Sequence, residues 1–475
     1  MYNYTKHFIN GEWVDSSDNE TIDVFNPATE AKIGTISAGT KDDLDKAVKA
    51  AKEAFPTFSQ TTRKERIKWL TDIAREYEKR KDDFIKVITE ELGSPVSFTE
   101  ETQYAMGLNH FKATAEVLKN FQFTEEREEA FIQKEAIGVA GLITPWNFPT
   151  NQVATKLASA FAAGSTVVLK PATETPFAAM LLAEVIEKAG IPNGVFNLVT
   201  GTGSTIGDGI SSHPEIDFVS FTGSGNVGTK IMQNAAEDIK DIALELGGKS
   251  PIIVLADADI EEAARTALAN IATNTGQVCT AGTRIFIPKD MHDAFADKVK
   301  ALLPDYPIGD PNHANTFMGP QVSKEQWQTV QDYIQAGIDT GAELIIGGTG
   351  KPDGLDTGYY SKITMFTHVD HNSKIAQEEI FGPVMTVFTY QDLDEALELA
   401  NTTIYGLAGY VVGKDRDTLI KVAQAIRAGR ITINGGGTDF TAPFGGYKQS
   451  GIGREWGDFG IDEFLETKTI LGMPN

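Results

Sequence analysis

Between residues 41 and 121 apolar positions recur every three to four residues, which predicts amphipathic helices in three stretches. One runs from Asp42 to Phe55 behind a Thr40 cap. Another runs from Lys64 to Leu92 behind Thr61 and Thr62, and Gly93-Ser94-Pro95 stops it. The run from Arg75 to Asp83 interleaves both charge signs, so it reads as a solvated helix face and not as a binding patch.

From about Ile137 the texture changes to short apolar runs separated by helical patterns. The strand candidates are Ala140 to Ile143, Thr166 to Leu169, Val195 to Val199, Phe218 to Phe221 and Ile242 to Leu246. Helical spacing fills Asn151 to Ala163, Pro176 to Ala189, Ser204 to Ser211 and Val227 to Asn234. That alternation predicts βαβ units and a parallel sheet. A second α/β series extends from Ile252 to about Ile433, and Glu463 to Leu471 reads as a strand outside both.

Size and charge narrow the picture. A chain of 475 residues exceeds what one core serves, so two or three domains are expected. A formal charge of -24 and a pI near 4.7 disfavour nucleic acid and anionic membranes as partners, while leaving room for one small anion held inside a cleft. The start of the chain lacks the basic segment and apolar core of a secretory signal. Its most apolar long stretch, Leu157 to Leu169, falls short of the roughly 20 residues of a membrane span. The expectation is a cytoplasmic protein. A single cysteine excludes an internal disulfide and a cysteine-based metal site, and no metal is expected.

Several motifs compete for the chemistry. Phe221-Thr222-Gly223-Ser224-Gly225-Asn226-Val227-Gly228 follows a strand and opens a helix, so its backbone N–H groups can receive a pyrophosphate. It stands after several strands and not the first, which departs from the ordinary Rossmann arrangement. Gly248-Lys249-Ser250 resembles the end of a P-loop, but Ala243 occupies the position of the required glycine and Pro251 opposes a helix there. No G-x-S-x-G elbow occurs. His368-Val369-Asp370-His371 reads as a polar loop, and Asp259 with Glu262 as a helix capping box.

Cys279 lies in Asn274-Thr275-Gly276-Gln277-Val278-Cys279-Thr280-Ala281-Gly282. A lone cysteine is by default a small buried hydrophobe. Here small and polar neighbours between two glycines predict a bend with backbone donors exposed, which lowers a thiol pKa and can hold an oxyanion. Glu245 stands in an apolar stretch where desolvation would raise its pKa toward neutrality, as a general base requires; the alternative is a glutamate on the solvent side of a strand.

Taken together, these residues resemble the aldehyde dehydrogenase superfamily from Phe8-Ile9-Asn10-Gly11-Glu12-Trp13 to Glu466-Thr467-Lys468. The ordered motifs are Pro145-Trp146-Asn147-Phe148-Pro149, Lys170-Pro171-Ala172, Phe221-Thr222-Gly223-Ser224, Glu245-Leu246-Gly247-Gly248-Lys249, Gly276-Gln277-Val278-Cys279, Glu379-Ile380-Phe381-Gly382-Pro383 and Pro443-Phe444-Gly445-Gly446-Tyr447-Lys448.

The resemblance implies NAD(P)-dependent oxidation of an aldehyde to its acid. Cys279 would be the nucleophile, Asn147 and the Cys279 backbone N–H the oxyanion donors, and Glu245 the base that hydrolyses a thioester. Trp146, Lys170, Thr173, Gly223, Ser224, Glu379 and Phe381 would meet the cofactor, with Lys170 at the adenosine ribose, Ser224 at the pyrophosphate, and Glu379 with Phe381 at the nicotinamide ribose and ring. Glu455 resembles a glutamate that pairs toward Lys156 or the base in relatives.

One position departs from the pattern. NAD-preferring relatives carry a glutamate three residues after the ribose lysine, where this chain has Thr173 and places Glu174 one later. Threonine does not repel a 2′-phosphate, so both NAD and NADP are candidate cofactors.

The implied fold is α/β: a Rossmann-like cofactor domain (1–117 and 138–247), an α/β catalytic domain (248–447), and a small bridging oligomerisation sheet (118–137 and 448–475). A homodimer or homotetramer follows from it. Two alternatives share the fold: a CoA-acylating enzyme, which has no need of Glu245, and a non-catalytic relative, which has no need of Cys279. Phe148, Val278, Thr280, Thr438 and Phe444 are expected to line the aldehyde's path, with Gly435-Gly436-Gly437 at its mouth. No arginine is placed by sequence to bind a distal carboxylate, so neutral aliphatic or aromatic aldehydes are expected.

Overall fold

The computed structural model describes residues 1–472. Two large sheets organise it. The first has eight strands in the order Gly451–Ile452, Asp241–Glu245, Phe218–Thr222, Val139–Ile143, Thr166–Lys170, Phe196–Leu198, Lys6–Ile9 and Glu12–Asp15. Its central five strands are parallel, and the short strands at both edges are antiparallel. Four of those five are buried at every position, as strands covered by helices on both faces must be.

The second sheet has seven strands in the order Glu343–Ile346, Thr364–Thr367, Val384–Tyr390, Gly282–Pro288, Ser250–Val254, Ala408–Val412 and Arg430–Ile433, parallel except for the first. Leu465–Leu471, Ala130–Ala136 and Thr124–Glu126 form an antiparallel three-stranded sheet, which seats the expected C-terminal strand beside residues 130–136. Tyr2–Tyr4, Lys32–Ser37 and Thr21–Phe25 make a fourth sheet that sequence patterning did not suggest.

In the first sheet Val139–Ile143 leads outward to Thr166–Lys170 on one side, while Phe218–Thr222 lies on its other side. The chain therefore changes direction between residues 139–143 and 218–222. In open α/β sheets ligands bind in the crevice that opens at the carboxyl ends of such a pair.

Several expectations are adjusted by the structure. The long second helix is two, Arg63–Glu78 and Lys81–Leu92, because Arg80 leaves helical geometry at φ -108 and ψ 18. The Arg75 to Asp83 run straddles that break and forms mostly local ion pairs. The helix Ile260–Ala272 is capped by Asp259, which accepts the N–H groups of Glu261 and Glu262; the Glu262 side chain does not return the bond. Helix Pro149–Ala163 is buried along its whole length, so its polar residues Asn151, Gln152 and Lys156 face protein on every side.

Candidate active site

The turns after Val139–Ile143 and Phe218–Thr222 open onto one cleft of about 290 Å³. Trp146, Asn147, Gly223, Ser224, Glu245, Cys279, Glu379 and Phe381 all line it, although they span more than two hundred positions of chain. Lys170 and Thr173 lie beyond this lining, at and after the end of the neighbouring strand Thr166–Lys170.

The Gly223 turn follows the fourth of the five parallel strands in chain order, which accounts for its late position in the sequence. Ser224 is the exposed N-cap of helix Gly225–Ala235, and its side chain makes no cap bond. A Cβ on Gly228 would lie 2.7 Å from Leu246, so glycine lets this helix approach the sheet closely.

Glu379 reaches into the cleft from the turn after Lys374–Gln377, and its Oε1 accepts the Gly248 N–H at 3.0 Å. A Cβ on Gly247 would stand 2.1 Å from Glu379 Oε2, so this close approach requires glycine. Burial raises the Glu379 carboxyl to about 7, against the Gly248 N–H and the charge of Lys249. Phe381 has a left-handed φ of 57 and meets Trp146 edge to face at 5.3 Å between ring centroids. Gln326 holds that turn by donating to the carbonyls of Phe381 and Ile380.

Cys279 is half-buried and packs against Leu407, Phe444, Trp456 and Met106. Burial and the charges of Glu379 and Glu245 push its thiol up, while the N–H groups of Cys279 and Thr280 oppose that shift. The shift is upward, where the sequence suggested a lowered thiol pKa, because burial and two carboxylates outweigh the backbone donors. The bend before it contains Asn274 at φ 49, Thr275 at φ 60 and Gly276 at φ 71, three successive left-handed residues. A Cβ on Gly276 would lie 2.3 Å from the Gly382 backbone.

Asn147 is buried, and its side-chain amide donates to the Gln277 carbonyl at 2.9 Å. Its own carbonyl accepts from Gln103 and Asn274, each at 2.9 Å. Glu245 ends the strand Asp241–Glu245 and is 3% exposed, and neither carboxylate oxygen has a hydrogen-bond partner among the described residues. Burial and the neighbouring Glu455 raise its pKa well above the ordinary carboxylate range, against Lys156 and Arg454. Lys156 Nζ donates to Glu455 Oε1 at 2.5 Å and to Ser220 Oγ at 2.8 Å, both buried.

Lys170 is buried, its Nζ donates to the Pro171 carbonyl at 2.8 Å, and burial lowers its ammonium to about 8. Thr173 Oγ1 donates to the exposed Glu174 carboxylate at 3.1 Å. Thr438, named for the substrate path, accepts from Arg430 at 3.3 Å, and that guanidinium lies 6.0 Å over Trp456. Neither Thr438 nor Arg430 lines the cleft that holds Cys279. His110, Phe440 and Trp456 form an aromatic group beside Phe444 that spacing alone could not assemble.

The aldehyde dehydrogenase family model matches residues 13–470. The chain belongs to the aldehyde dehydrogenase family. It is 57% identical over 472 residues, 99% of each chain, to a protein of Staphylococcus aureus strain MSSA476 named aldehyde dehydrogenase. It superposes with a TM-score of 0.97 and 39% identity, covering 98% of this chain and 96% of the other, on aldehyde dehydrogenase C of Pseudomonas syringae, a cysteine-to-alanine variant complexed with NAD+ and octanal. A TM-score of 0.94 and 35% identity, with 98% of each chain covered, relate it to an NADP-dependent enzyme of E. coli. This enzyme shares the mixed α/β fold of those structures. Among its described residues no helix is long and apolar enough to cross a membrane, and no group of three or more His, Cys, Asp and Glu is placed to hold a metal.

Proposed function

We propose that this enzyme oxidises a small-molecule aldehyde to the free carboxylic acid through a covalent thioester on Cys279. The observation that carries the reading is the convergence of Cys279, Asn147 and Glu245 on the cleft that also contains Glu379 and the Gly223 turn.

The cleft suits a nicotinamide dinucleotide. It opens at the direction change of a parallel sheet, offers the helix N-terminus at Ser224 to a pyrophosphate, and presents Glu379 as an acceptor for ribose hydroxyls. Trp146 and Phe381 supply an apolar wall beside them. Lys170 holds the adenosine ribose, and Thr173 leaves space for either a 2′-hydroxyl or a 2′-phosphate, so NAD and NADP are both accepted.

Cys279 gives its thiol proton to solvent water, and its Sγ adds to the aldehyde carbon, giving a thiohemiacetal. The oxyanion receives hydrogen bonds from the Asn147 amide and the Cys279 N–H. A bound nicotinamide dinucleotide supplies the hydride acceptor that turns the thiohemiacetal into a thioester. Glu245 then takes a proton from water, whose oxygen adds to the thioester carbon and expels the Cys279 thiolate. The raised pKa of Glu245 fits that task, because a carboxylate held above its ordinary range is a stronger base toward water.

Residues 1–117 and 138–247 would act as the cofactor domain and 248–447 as the catalytic domain. The sheet of Thr124–Glu126, Ala130–Ala136 and Leu465–Leu471 has two open edges, and pairing across a homodimer or homotetramer would cover one.

The test is reduction of NAD and NADP, followed by absorbance, with acetaldehyde, propanal and octanal, beside Cys279→Ser. Reduction by the parent enzyme with free acid as product supports the reading. Equal turnover by Cys279→Ser would sink the thioester mechanism.

A further inference from the structure

Resting on that reading, we propose that Asn274 is a positioning residue that sets the aim of Asn147. Asn274 is 2% exposed, and its single amide nitrogen spans two peptides. It donates to the Asn147 carbonyl at 2.9 Å and to the Gln277 carbonyl at 3.3 Å. The same Gln277 carbonyl accepts the Asn147 side-chain amide at 2.9 Å. These contacts close a ring of Asn147, Gln277 and Asn274, with Gln103 donating to the Asn147 carbonyl from outside it.

The ring has a chemical consequence. An asparagine amide carries two N–H groups. The Gln277 carbonyl fixes one of those on Asn147, so the other has one direction left, and that direction belongs to the oxyanion. If the carbonyl moves, the second N–H swings with it. Gln277 stands two residues before Cys279, so the ring also ties the turn that bears the amide donor to the bend that bears the thiol.

The backbone supports the assignment. Asn274 at φ 49 and Thr275 at φ 60 occupy the left-handed region, costly for a threonine and tolerated by asparagine. The Asn274 carbonyl accepts both the backbone N–H and the side-chain Nε2 of Gln277 at 3.1 Å. Thr275 Oγ1 donates to the Gly319 carbonyl, and Gln321 Nε2 donates to the Thr275 carbonyl. The bend is thus held on its far side without the Asn274 amide, which leaves that amide to hold Asn147.

The experiment is a double-mutant cycle of Asn274→Gly and Asn147→Ala, read as single-turnover cofactor reduction with octanal. Glycine keeps the left-handed backbone and deletes only the amide. Asn274→Gly is expected to slow the reduction step about 10- to 100-fold, the scale on which a displaced or missing donor acts. In the Asn147→Ala background the same change is expected to have less than about twofold effect, because coupled residues are non-additive. Cofactor Kd and the rate of Cys279 alkylation by iodoacetamide should stay within about twofold of the parent.

A reduction rate within about twofold of the parent in Asn274→Gly overturns the proposal. So does an equal loss in both backgrounds, or a parallel loss of cofactor binding, since either marks a general structural role. If the protein with native Asn274 reduces no cofactor with any aldehyde, the thioester reading itself fails, an outcome separate from these.

Discussion

Lys156 and Glu455, 299 positions apart, form a buried ion pair at 2.5 Å whose two charges both act on Glu245. Removing one partner leaves the other charge buried. Lys156→Met is therefore expected to cost about 3–5 kcal/mol of stability, visible as a lower Tm, whereas the double change Lys156→Met/Glu455→Leu should recover most of it.

The same pair shifts the pKa of Glu245, the base of the proposed mechanism. In the proposed mechanism Glu245 acts only when deprotonated, and its pKa is raised, so turnover should climb with pH above the ordinary carboxylate range and level off once the carboxylate is ionised. Glu455 raises that pKa, so Glu455→Gln should move the rising limb to lower pH. Lys156 lowers it, so Lys156→Met should move the limb to higher pH. A pH profile of kcat for the three proteins checks the direction of each shift.

Glu245→Gln separates the two halves of the reaction. One equivalent of cofactor per Cys279 should still be reduced, while steady-state turnover falls about 10²- to 10⁴-fold. Rapid-mixing absorbance distinguishes that burst from a simple loss of activity.

Thr173→Glu introduces a carboxylate where a 2′-phosphate would stand. A like charge there should lower kcat/KM for NADP about tenfold or more and leave NAD within a few fold. Parallel initial-rate measurements with the two cofactors read the ratio directly.

Gly276→Ala places a methyl group 2.3 Å from the Gly382 backbone at a φ of 71. The expected loss is at least about 2 kcal/mol, with reduced activity, because the Cys279 bend and the Glu379–Phe381 turn are pushed apart. Thermal unfolding and cofactor affinity measure the two effects.

The sequence was most informative where function demands a local pattern. The Gly223 turn, the Cys279 bend and the Glu379 turn each show as short runs of glycine, proline and polar residues, and all three reach the same cleft. It was silent where function depends on distant contact. Gln103 reaches Asn147 across 44 positions and Asn274 across 127, and neither carries a local signature. The break at Arg80 escaped notice because no glycine or proline marks it, only charged residues that helices accept. Lys6–Ile9 escaped for a similar reason: four residues, one charged, become a strand because Phe196–Leu198 offers an edge.

Because the chain carries one cysteine and that cysteine lines the cleft, under the proposed mechanism its thiol content counts its sites. A disulfide-exchange reagent applied to the folded protein would read this one thiol, with no background from others to subtract. The same economy is a vulnerability. If Cys279 is the nucleophile, a peroxide that takes this sulfur to the sulfenic acid would silence the enzyme, and a thiol reductant would restore it, whereas further oxidation would not be reversed.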